Sequence, residues 1–374
     1  MNDKIYQKLI DWLNQAWFGL SDSPYLMDTI KAVYTKEEAE LLTGFPYKGA
    51  YLEEIADLKN LPEQKILPRL DAMAQKGLVW KNFKNNKPRF SINDAFFVFM
   101  RSLYWSREKS KAAREGAPHI NQYFSDGFMD QFIHAEFKGL RTIPIHKTIE
   151  DSRAVLPYED VIKLVEERSY YTVSDCPCRS KKHLDPQADT CDAPLEVCLH
   201  FDSLGRYIVE NSMGRQITKK QTLEILKKAA DSGLVHAVSN WQKNPDTICN
   251  CCACCCLFFE AYHKLDHHKS VDPSHYTISV SAQTCKACGL CVEKCPMDVL
   301  TLVHHPDSEN KKHMAPMVEK EKCLGCGVCV HACPTESLGL IPSENPAEPP
   351  ETPGDWVKSF FNDKKTGAKH RFNL

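Results

Sequence analysis

The chain has 374 residues, and its 47 Lys and Arg nearly balance 49 Asp and Glu, giving a net charge of −2. That balance provides no overall field to attract nucleic acid or anionic lipid. The length allows two or three domains with their own cores. No secretory signal pattern opens the chain and no apolar run approaches about 18 residues, so we expect a cytoplasmic protein without a transmembrane segment.

Residues 1–24 are predicted to form an N-terminal docking helix. Ile5, Leu9, Leu13 and Trp17 recur at helical spacing and define one apolar face. A helix lying on a membrane surface is the alternative, but the polar face lacks the lysine-rich stripe that such helices carry. We therefore expect the apolar face to pack onto the rest of the fold.

Residues 25–105 show the element order of a winged helix. Thr35 and Glu38 form a capping box, Pro62 suits a first helical position, Gly77 suits a C-cap, and Asn85 begins a wing turn. The predicted helices and strands lie at 35–42, 52–56, 62–76, 78–80 and 89–92. This order resembles a winged helix-turn-helix.

A winged helix suggests DNA binding, but the helix that would read DNA is poorly suited to it. Glu63 and Asp71 offset Lys65 and Arg69, and Pro68 removes a backbone hydrogen bond in mid-helix. The wing still offers basic residues, namely Lys81, Lys84, Lys87 and Arg89. We favour a protein–protein or structural module, with DNA binding as the alternative.

Two further segments carry less information. Residues 106–170 are predicted as a helical connector, and helices are expected at 95–104, 127–138 and 159–167 in and around it. Residues 342–374 form a Pro-rich C-terminal tail. Four apolar residues near its end predict a short docked helix or a partner-binding tail: Trp356, Val357, Phe360 and Phe361.

Residues 171–270 form a cysteine-rich domain with α/β patterning. Strands are predicted at 170–173, 207–210 and 234–238, a helix at 219–232, and another helix from about Cys255. The segment holds ten of the 18 cysteines: Cys176, Cys178, Cys191, Cys198, Cys249, Cys251, Cys252, Cys254, Cys255 and Cys256. Such clustering is typical of metal sites rather than of a disulfide framework.

Neighbouring side chains point apart on a regular backbone, so the run of six cysteines cannot converge on one metal ion. We expect Cys249 and Cys252, with Cys255 or Cys256, to face one way and Cys251 and Cys254 another. The first group would supply the remaining ligands of one or two further [4Fe–4S] clusters. Zinc in Cys176, Cys178, Cys191 and Cys198, a non-cubane iron–sulfur site and inert buried thiols remain alternatives.

Several charged or polar residues accompany these cysteines. Arg179, Lys181 and Lys182 would neutralise thiolates, with ordinary solvated charge as the alternative. Catalytic residues are unknown. Three polar residues are candidates if the central site is catalytic, although such residues are more often structural: His200, Arg206 and His236.

Residues 271–341 carry two copies of C-x2-C-x2-C-x3-C-P. The eight cysteines are Cys285, Cys288, Cys291, Cys295, Cys323, Cys326, Cys329 and Cys333. Three thiolates of each copy wrap one cluster, and the fourth thiolate ligates the cluster of the other copy. A zinc ribbon or disulfides fit this doubled spacing poorly. The stretch resembles the bacterial-type dicluster ferredoxin.

This pattern predicts two [4Fe–4S] clusters on a ferredoxin-like βαββαβ domain. One ligand set is Cys285, Cys288, Cys291 and Cys333, and the other is Cys323, Cys326, Cys329 and Cys295. Strands are expected at 276–280, 300–303, 317–319 and 339–341, and the runs Cys291–Cys295 and Cys329–Cys333 at helix starts. The fold class of the whole chain is α+β.

Roughly the last 250 residues resemble a family of 4Fe–4S binding proteins from anaerobic bacteria and archaea. The matching segments are 175–179, 194–198, 214–215, 233–236, 239–240 and the cysteine run from Cys249. The resemblance implies a redox role in an anaerobic pathway, without implying a substrate.

The sequence therefore favours an electron-transfer protein, or the electron-input subunit of an oxidoreductase complex, with a redox protein as partner. No dinucleotide fingerprint, nucleotide P-loop or hydrolase motif occurs. The alternatives are a redox enzyme with a catalytic central cluster and a cluster-based DNA-binding regulator. We expect a component of an oxidoreductase rather than a stand-alone catalyst.

Overall fold

The computed structural model describes residues 2–16, 19–128, 139–145, 159–265, 267, 270–344, 346 and 348–362. Within them the chain is a mixture of helices and antiparallel strands, as expected of an α+β protein. The described helices before residue 130 are Asn2–Leu13, Leu26–Val33, Lys36–Leu42, Leu52–Lys59, Glu63–Lys76, Ala95–Phe97, Leu103–Trp105 and Lys111–Tyr123. Two π-helical turns, Val98–Ser102 and Phe124–Phe128, interrupt or extend them.

The later helices are Val161–Glu166, Pro177–His183, Asp202–Glu210, Lys219–Asp231, Leu257–Leu265, Leu290–Glu293, Val328–Ala332 and Pro353–Asn362. A 3₁₀ turn covers Lys320–Lys322. Most of the helix predicted at 127–138 lies outside the described residues, whereas the helix predicted at 159–167 is present as Val161–Glu166, with Asp160 as its N-cap.

The N-terminal helix Asn2–Leu13 packs on the helices that follow it. Leu9 and Leu13 are fully buried in the same core as Ile30 and Leu42. The apolar spacing read from the sequence therefore buries one face against protein, whereas Trp17 lies outside the described residues.

The next elements follow the order expected from the local sequence signals. The Thr35–Glu38 capping box is present, with Thr35 Oγ1 accepting from Glu38 N at 3.2 Å. Strands β2 (Val79–Lys84) and β3 (Lys87–Ile92) pair across a turn at Asn85 and Asn86, which both have positive φ. Strand β1 (Ala50–Tyr51) completes a small sheet in the order β1-β3-β2.

This small sheet is joined to the central domain through Tyr207. Its ring stacks on Trp80 at 4.0 Å, and its hydroxyl donates to the Val79 carbonyl at 3.0 Å. Asn93 also reaches that hydroxyl, at 3.3 Å. The N-terminal region is thus fixed to the central domain through a buried contact.

The central domain is built on one antiparallel sheet in the order β4-β8-β9-β6-β5-β7. The strands are β4 (Leu140–Thr142), β5 (Tyr171–Asp175), β6 (Glu196–Phe201), β7 (Arg215–Ile217), β8 (Val235–Ser239) and β9 (Thr247–Cys251). Strand β4 falls inside the segment predicted as a connector. Every pair of neighbouring strands in this sheet is antiparallel, so the sheet is not the parallel arrangement of an α/β fold.

The strand predicted at Tyr207–Glu210 is wrong, because this segment belongs to the helix Asp202–Glu210. Its Tyr-Ile-Val run has high strand propensity, but Leu204, Tyr207 and Ile208 at helical spacing bury one face. Tertiary burial therefore overrides the local preference.

The C-terminal part contains two strand pairs. Strand β10 (Tyr276–Val280) pairs with β13 (Leu338–Pro342), and β11 (Leu300–His304) pairs with β12 (Met314–Val318). Short helices follow the first strand of each half, which gives the expected βαββαβ order. The tail helix Pro353–Asn362 packs through Trp356 against Trp241, with ring centroids 6.2 Å apart.

Candidate functional site

The C-terminal βαββαβ unit brings cysteines from both sequence repeats together. Cys285, Cys288 and Cys291 line one void together with Cys333 of the second repeat. The space between the surrounding atoms is about 340 Å³. Cys295 of the first repeat lies near Cys323, Cys326 and Cys329. It is close enough that a negative charge on Cys295 would raise the pKa of Cys326 and of Cys329.

Backbone N–H groups point at the thiols of this unit. Ala287 N lies 3.3 Å from Cys285 Sγ, and Gly325 N lies 3.4 Å from Cys323 Sγ. Burial is the main cause of the raised pKa of the Cys326 thiol, which reaches about 12. A buried thiol of this kind becomes an anion readily only when a cation or metal compensates its charge.

Gly325 is required by the close approach of two backbone segments. Its φ is +61°, and a Cβ atom here would lie 2.1 Å from the Tyr276 carbonyl oxygen. Ser274 Oγ donates to the Gly325 carbonyl at 2.8 Å from the same side. The second cysteine loop can pack on β10 only without a side chain at this position.

One expectation for this unit needs correction. Cys291 and Cys329 lie at the starts of the helices Leu290–Glu293 and Val328–Ala332, as predicted. Cys295 lies beyond the end of the first helix, and Cys333 is the C-cap of the second. Each helix is only about one turn long, so the fourth cysteine leaves it and turns toward the opposite repeat.

Six further cysteines gather beside β6 and β9, the two central strands of the sheet, and form a set called here the six-thiol cluster. Cys198 and Cys249 lie on the neighbouring strands β6 and β9, and Cys251 ends β9. The members are Cys176, Cys178, Cys198, Cys249, Cys251 and Cys256, and they help to line a void whose space between atoms, counted with its opening to solvent, is about 480 Å³. This void is larger than the one lined by Cys285.

Neighbouring thiols of the six-thiol cluster lie close enough to shift one another's pKa. Cys178 is adjacent to both Cys176 and Cys256, and Cys249 is adjacent to both Cys198 and Cys251. The hydrogen bond from Cys178 lowers the pKa of Cys256 to about 6, helped by the backbone N–H groups of Phe258 and Phe259. These amides belong to the first turn of the helix Leu257–Leu265, whose dipole favours a thiolate.

The other four central cysteines form a separate group, called here the four-thiol group. Their Sγ atoms all lie within 4.8 Å of one another: Cys191, Cys252, Cys254 and Cys255. Cys191 Sγ is 3.8 Å from the Sγ atoms of both Cys252 and Cys255. The hydrogen bond from Cys255 lowers the pKa of Cys252 to about 5.

This division differs from the grouping expected from the sequence. Cys249 and Cys251 share a face, because residues two apart on a strand point the same way. Cys252 and Cys255 turn to the other side, together with Cys191. The zinc alternative with Cys191 beside Cys176, Cys178 and Cys198 is therefore not the arrangement found.

Arg179 lies fully buried between the two thiol groups. Its Nη2 donates to the Asn250 carbonyl at 2.7 Å, whereas Nε and Nη1 have no partner among the described residues. Burial opposes its charge, but charges at Cys176 and Cys252 raise its pKa above the ordinary value. A buried cation with two free N–H groups fits an anionic metal–sulfur centre.

Lys181 and Lys182, the other charged residues predicted to lie near the thiols, are buried in the structure. Lys181 is buried against the Phe124 ring, with Nζ 4.0 Å from the ring centroid, and burial lowers its pKa to about 7. Lys182 forms a buried ion pair with Glu260 at 2.8 Å. The positive charges of this segment are therefore enclosed in protein rather than solvated.

The three candidate polar residues make contacts typical of structural side chains. His200 lies 3.0 Å from Ser174 Oγ and 3.2 Å from Thr247 Oγ1, and burial lowers its pKa to about 3. His236 Nδ1 lies 2.6 Å from Asn250 Oδ1. The Arg206 guanidinium lies over the Tyr170 ring, 4.4 Å from its centroid.

An aromatic cavity that no sequence pattern predicts lies beside the six-thiol cluster. Its space between atoms is about 1080 Å³ including the open mouth, and its aromatic lining comprises Trp80, Phe96, Phe97, Trp241, Phe258 and Trp356. Met100, Arg101, Leu140 and Phe258 line both this cavity and the cysteine void. The lining residues come from distant parts of the chain, so no local pattern could reveal them.

Comparison with known families supports the prediction of a dicluster ferredoxin-like domain near the C-terminus. Residues 284–337 match the 4Fe-4S dicluster domain, so this part of the chain is of that type. A comparison with curated proteins finds no significant match. Among the described residues, no helix is long and apolar enough to cross a membrane. The dicluster match and the clustered cysteines indicate an iron–sulfur protein that transfers electrons.

Proposed function

We propose that this protein passes single electrons between a redox protein and a metal–sulfur centre in its own central domain. It would act as an electron-transfer protein or as the electron-input subunit of a cytoplasmic oxidoreductase complex. The observation that carries the proposal is one continuous apolar core. That core includes Cys251 and Cys256 of the six-thiol cluster together with Cys291, Cys295, Cys326 and Cys329 of the dicluster domain.

The ligand sets are proposed from the positions of the thiols. Cys285, Cys288, Cys291 and Cys333 would hold one [4Fe–4S] cluster, and Cys323, Cys326, Cys329 and Cys295 the other. When bound, each cluster stores one electron. The protein supplies thiolates and N–H donors such as Gly325, and it keeps water away from the second set.

Exposure favours the first set as the side facing the redox partner. Cys288 is exposed, and the nearby Leu290 is 37% exposed. Cys326 and Cys329 are buried. A partner that docks over Leu290 would therefore meet the first ligand set.

The second ligand set lies toward the central domain. His263 on the helix Leu257–Leu265 lies 2.8 Å from the Pro296 carbonyl oxygen, next to Cys295. Cys256 immediately precedes that helix, and seven residues of helical rise separate it from His263 by about 10 Å. His331 and Asp231 form a second link between the domains, at 2.8 Å.

Iron and acid-labile sulfide counting on anoxically purified full-length protein tests this proposal. Two clusters give about eight iron atoms per chain, and one or two central clusters raise the count to about twelve or sixteen. Freeze-quench spectroscopy after mixing with a reduced ferredoxin should show the dicluster signals before the central ones. A count of eight with no further reducible centre would contradict a relay to the central domain.

A redox enzyme with a catalytic central centre is the second candidate function, and the aromatic cavity favours it. Arg101 lines both voids and has no ion pair among the described residues. Trp241 Nε1 is buried without a partner there. An aromatic wall, one unpaired cation and a free N–H donor suit a small aromatic carboxylate.

Quenching of tryptophan fluorescence by benzoate tests this candidate, with benzyl alcohol as an uncharged probe. Benzoate should bind more tightly than the alcohol, and Arg101→Gln should remove most of the difference. Arg107→Gln, which changes an exposed arginine, is the control. Equal binding of the two probes would contradict recognition of a carboxylate.

DNA binding receives less support, because basic residues of the N-terminal region are paired within the protein. Lys76 contacts Glu38 at 2.6 Å, and Lys81 contacts Asp71 at 2.7 Å. Arg69 donates to the Glu37 carbonyl at 3.1 Å. A gel-shift assay on oxidised and reduced protein should show no retardation, whereas redox-dependent retardation would favour the regulator.

A further inference from the structure

We propose that the four-thiol group, Cys191, Cys252, Cys254 and Cys255, binds one zinc ion. This site is separate from the six-thiol cluster. It does not depend on the proposed electron transfer, because a closed zinc site has a structural role.

The distances between the sulfur atoms carry this inference. The Sγ atoms of Cys254 and Cys255 are 3.7 Å apart, and Cys191 lies 3.8 Å from both Cys252 and Cys255. Zinc binds thiolates tetrahedrally at about 2.3 Å, which places the sulfur atoms about 3.8 Å from one another. The group therefore has the size of a site for one ion.

A [4Fe–4S] cluster requires a wider arrangement. Each thiolate binds a different iron atom of the cube, so the sulfurs lie farther apart, about 6 Å. Among the residues that the structure describes, the four-thiol group alone brings three or more possible ligand atoms within 4.8 Å of one another. The eight cysteines of the dicluster domain do not form such a group, which is the contrast expected between the two kinds of site.

Zinc is favoured over a single iron ion. Four thiolates suit either metal, but divalent zinc binds nitrogen and sulfur sites more tightly than ferrous iron does. The four protein ligands also leave no open position, as in structural zinc sites. Four thiolates and one zinc ion carry a net charge of −2, and the buried Arg179 beside Cys252 and Cys191 offsets part of it.

The position of the ligands explains what the ion would do. Cys191 lies in the segment between the helix Pro177–His183 and strand β6, which contains no described helix or strand. The other three ligands lie just before the helix Leu257–Leu265. A metal ion here would tie the two segments together and direct Cys251 and Cys256 to the opposite side, toward the six-thiol cluster.

Metal analysis of anoxically purified full-length protein tests the site. The wild type should contain about one zinc ion per chain. Cys254→Ser should lose that zinc and keep the iron of the dicluster domain, and this variant is chosen because Cys254 is exposed. The matched control, Cys198→Ser, should lose iron and keep zinc. Loss of iron but not zinc from Cys254→Ser would overturn the proposal.

X-ray absorption at the zinc edge of the wild-type protein gives an answer even if the variant does not fold. Four sulfur neighbours at about 2.3 Å are expected. A shell containing nitrogen or oxygen, or wild-type protein without zinc, would overturn the proposal. A single iron ion held by the same four residues would overturn the choice of metal.

Discussion

Arg179 Nη2 donates a hydrogen bond of 2.7 Å to the Asn250 carbonyl oxygen, and this contact fixes a buried cation between two groups of thiols. Asn250 lies between Cys249 and Cys251 on β9. Its own side chain donates to the Val197 carbonyl, at 2.6 Å. The segment Cys249–Cys251 therefore supplies two thiols of the six-thiol cluster and also holds the positively charged guanidinium of Arg179 in place.

Arg179→Gln should remove the central metal–sulfur centre and leave the dicluster domain loaded. The substitution removes the buried charge opposite the thiolates, and losing one partner of a buried charge pair costs about 3–5 kcal/mol. Iron should fall to about eight per chain while the dicluster signals remain.

Arg206→Gln is the matched control for this variant. Arg206 is exposed and lies over the Tyr170 ring, a contact worth about 0.5–1 kcal/mol. Its iron content should equal that of the wild type. Equal iron in Arg179→Gln and Arg206→Gln would show that the buried cation is not needed to hold the centre.

Gly325→Ala should prevent the second cysteine loop from packing on β10. The new methyl group would lie 2.1 Å from the Tyr276 carbonyl in a backbone with φ of +61°, so the loop must move. We expect a loss of about four iron atoms per chain and a melting temperature lower by several degrees.

Gly354→Ala provides the comparison. The nearest atom to its added methyl group is Thr352 Oγ1 at 3.6 Å, an ordinary contact distance. Iron content and melting temperature should stay close to the wild-type values. A Gly325→Ala protein with full iron content would contradict the close approach described for this loop.

Local signals predicted the elements that depend on few neighbours. The capping box at Thr35, the turn at Asn85 and the repeated cysteine spacing each act within a few residues, and each has the expected outcome in the structure. The helix Asp202–Glu210 was missed because contacts with β2 and β5 decide its conformation. The division of the central cysteines was missed because strand pairing and the position of Cys191 decide it.

Tyr207→Phe should loosen the N-terminal region from the central domain. The change removes the hydroxyl that donates to the Val79 carbonyl and contacts Asn93, while the ring can still stack on Trp80. Leaving a buried carbonyl without its donor costs about 1–3 kcal/mol.

Urea unfolding under anoxic conditions measures this cost. Tyr170→Phe is the control, because Tyr170 is half-buried and its described contact, with Arg206, is made by the ring and not by the hydroxyl. Its unfolding free energy should change by less than about 0.5 kcal/mol. Similar values for the two variants would show that the Tyr207 hydroxyl does not hold the domains together.

His236 should make the central domain less stable as the pH falls below 6.5. Burial lowers its pKa from 6.5 to about 4, so the unfolded chain takes up a proton that the folded protein does not bind. The stability that the neutral His236 contributes is fully present above pH 6.5, the pKa of histidine in the unfolded chain. That stability is lost as the pH falls toward 4, the pKa in the folded protein. Between about pH 7.5 and 5.5, this single group removes about 1.3 kcal/mol from the unfolding free energy.

His236→Gln should therefore unfold with a weaker pH dependence than the wild type over that range. Glutamine does not titrate, and its amide can still meet the side chain of Asn250, which lies 2.6 Å from the imidazole in the native protein. Urea unfolding at several pH values gives the slope directly, and iron content measured in parallel shows whether the centres stay bound. His304→Gln is the control, because His304 is exposed and lies outside the central domain. Equal slopes in His236→Gln and the wild type would mean that His236 is protonated to the same extent in the folded and unfolded states.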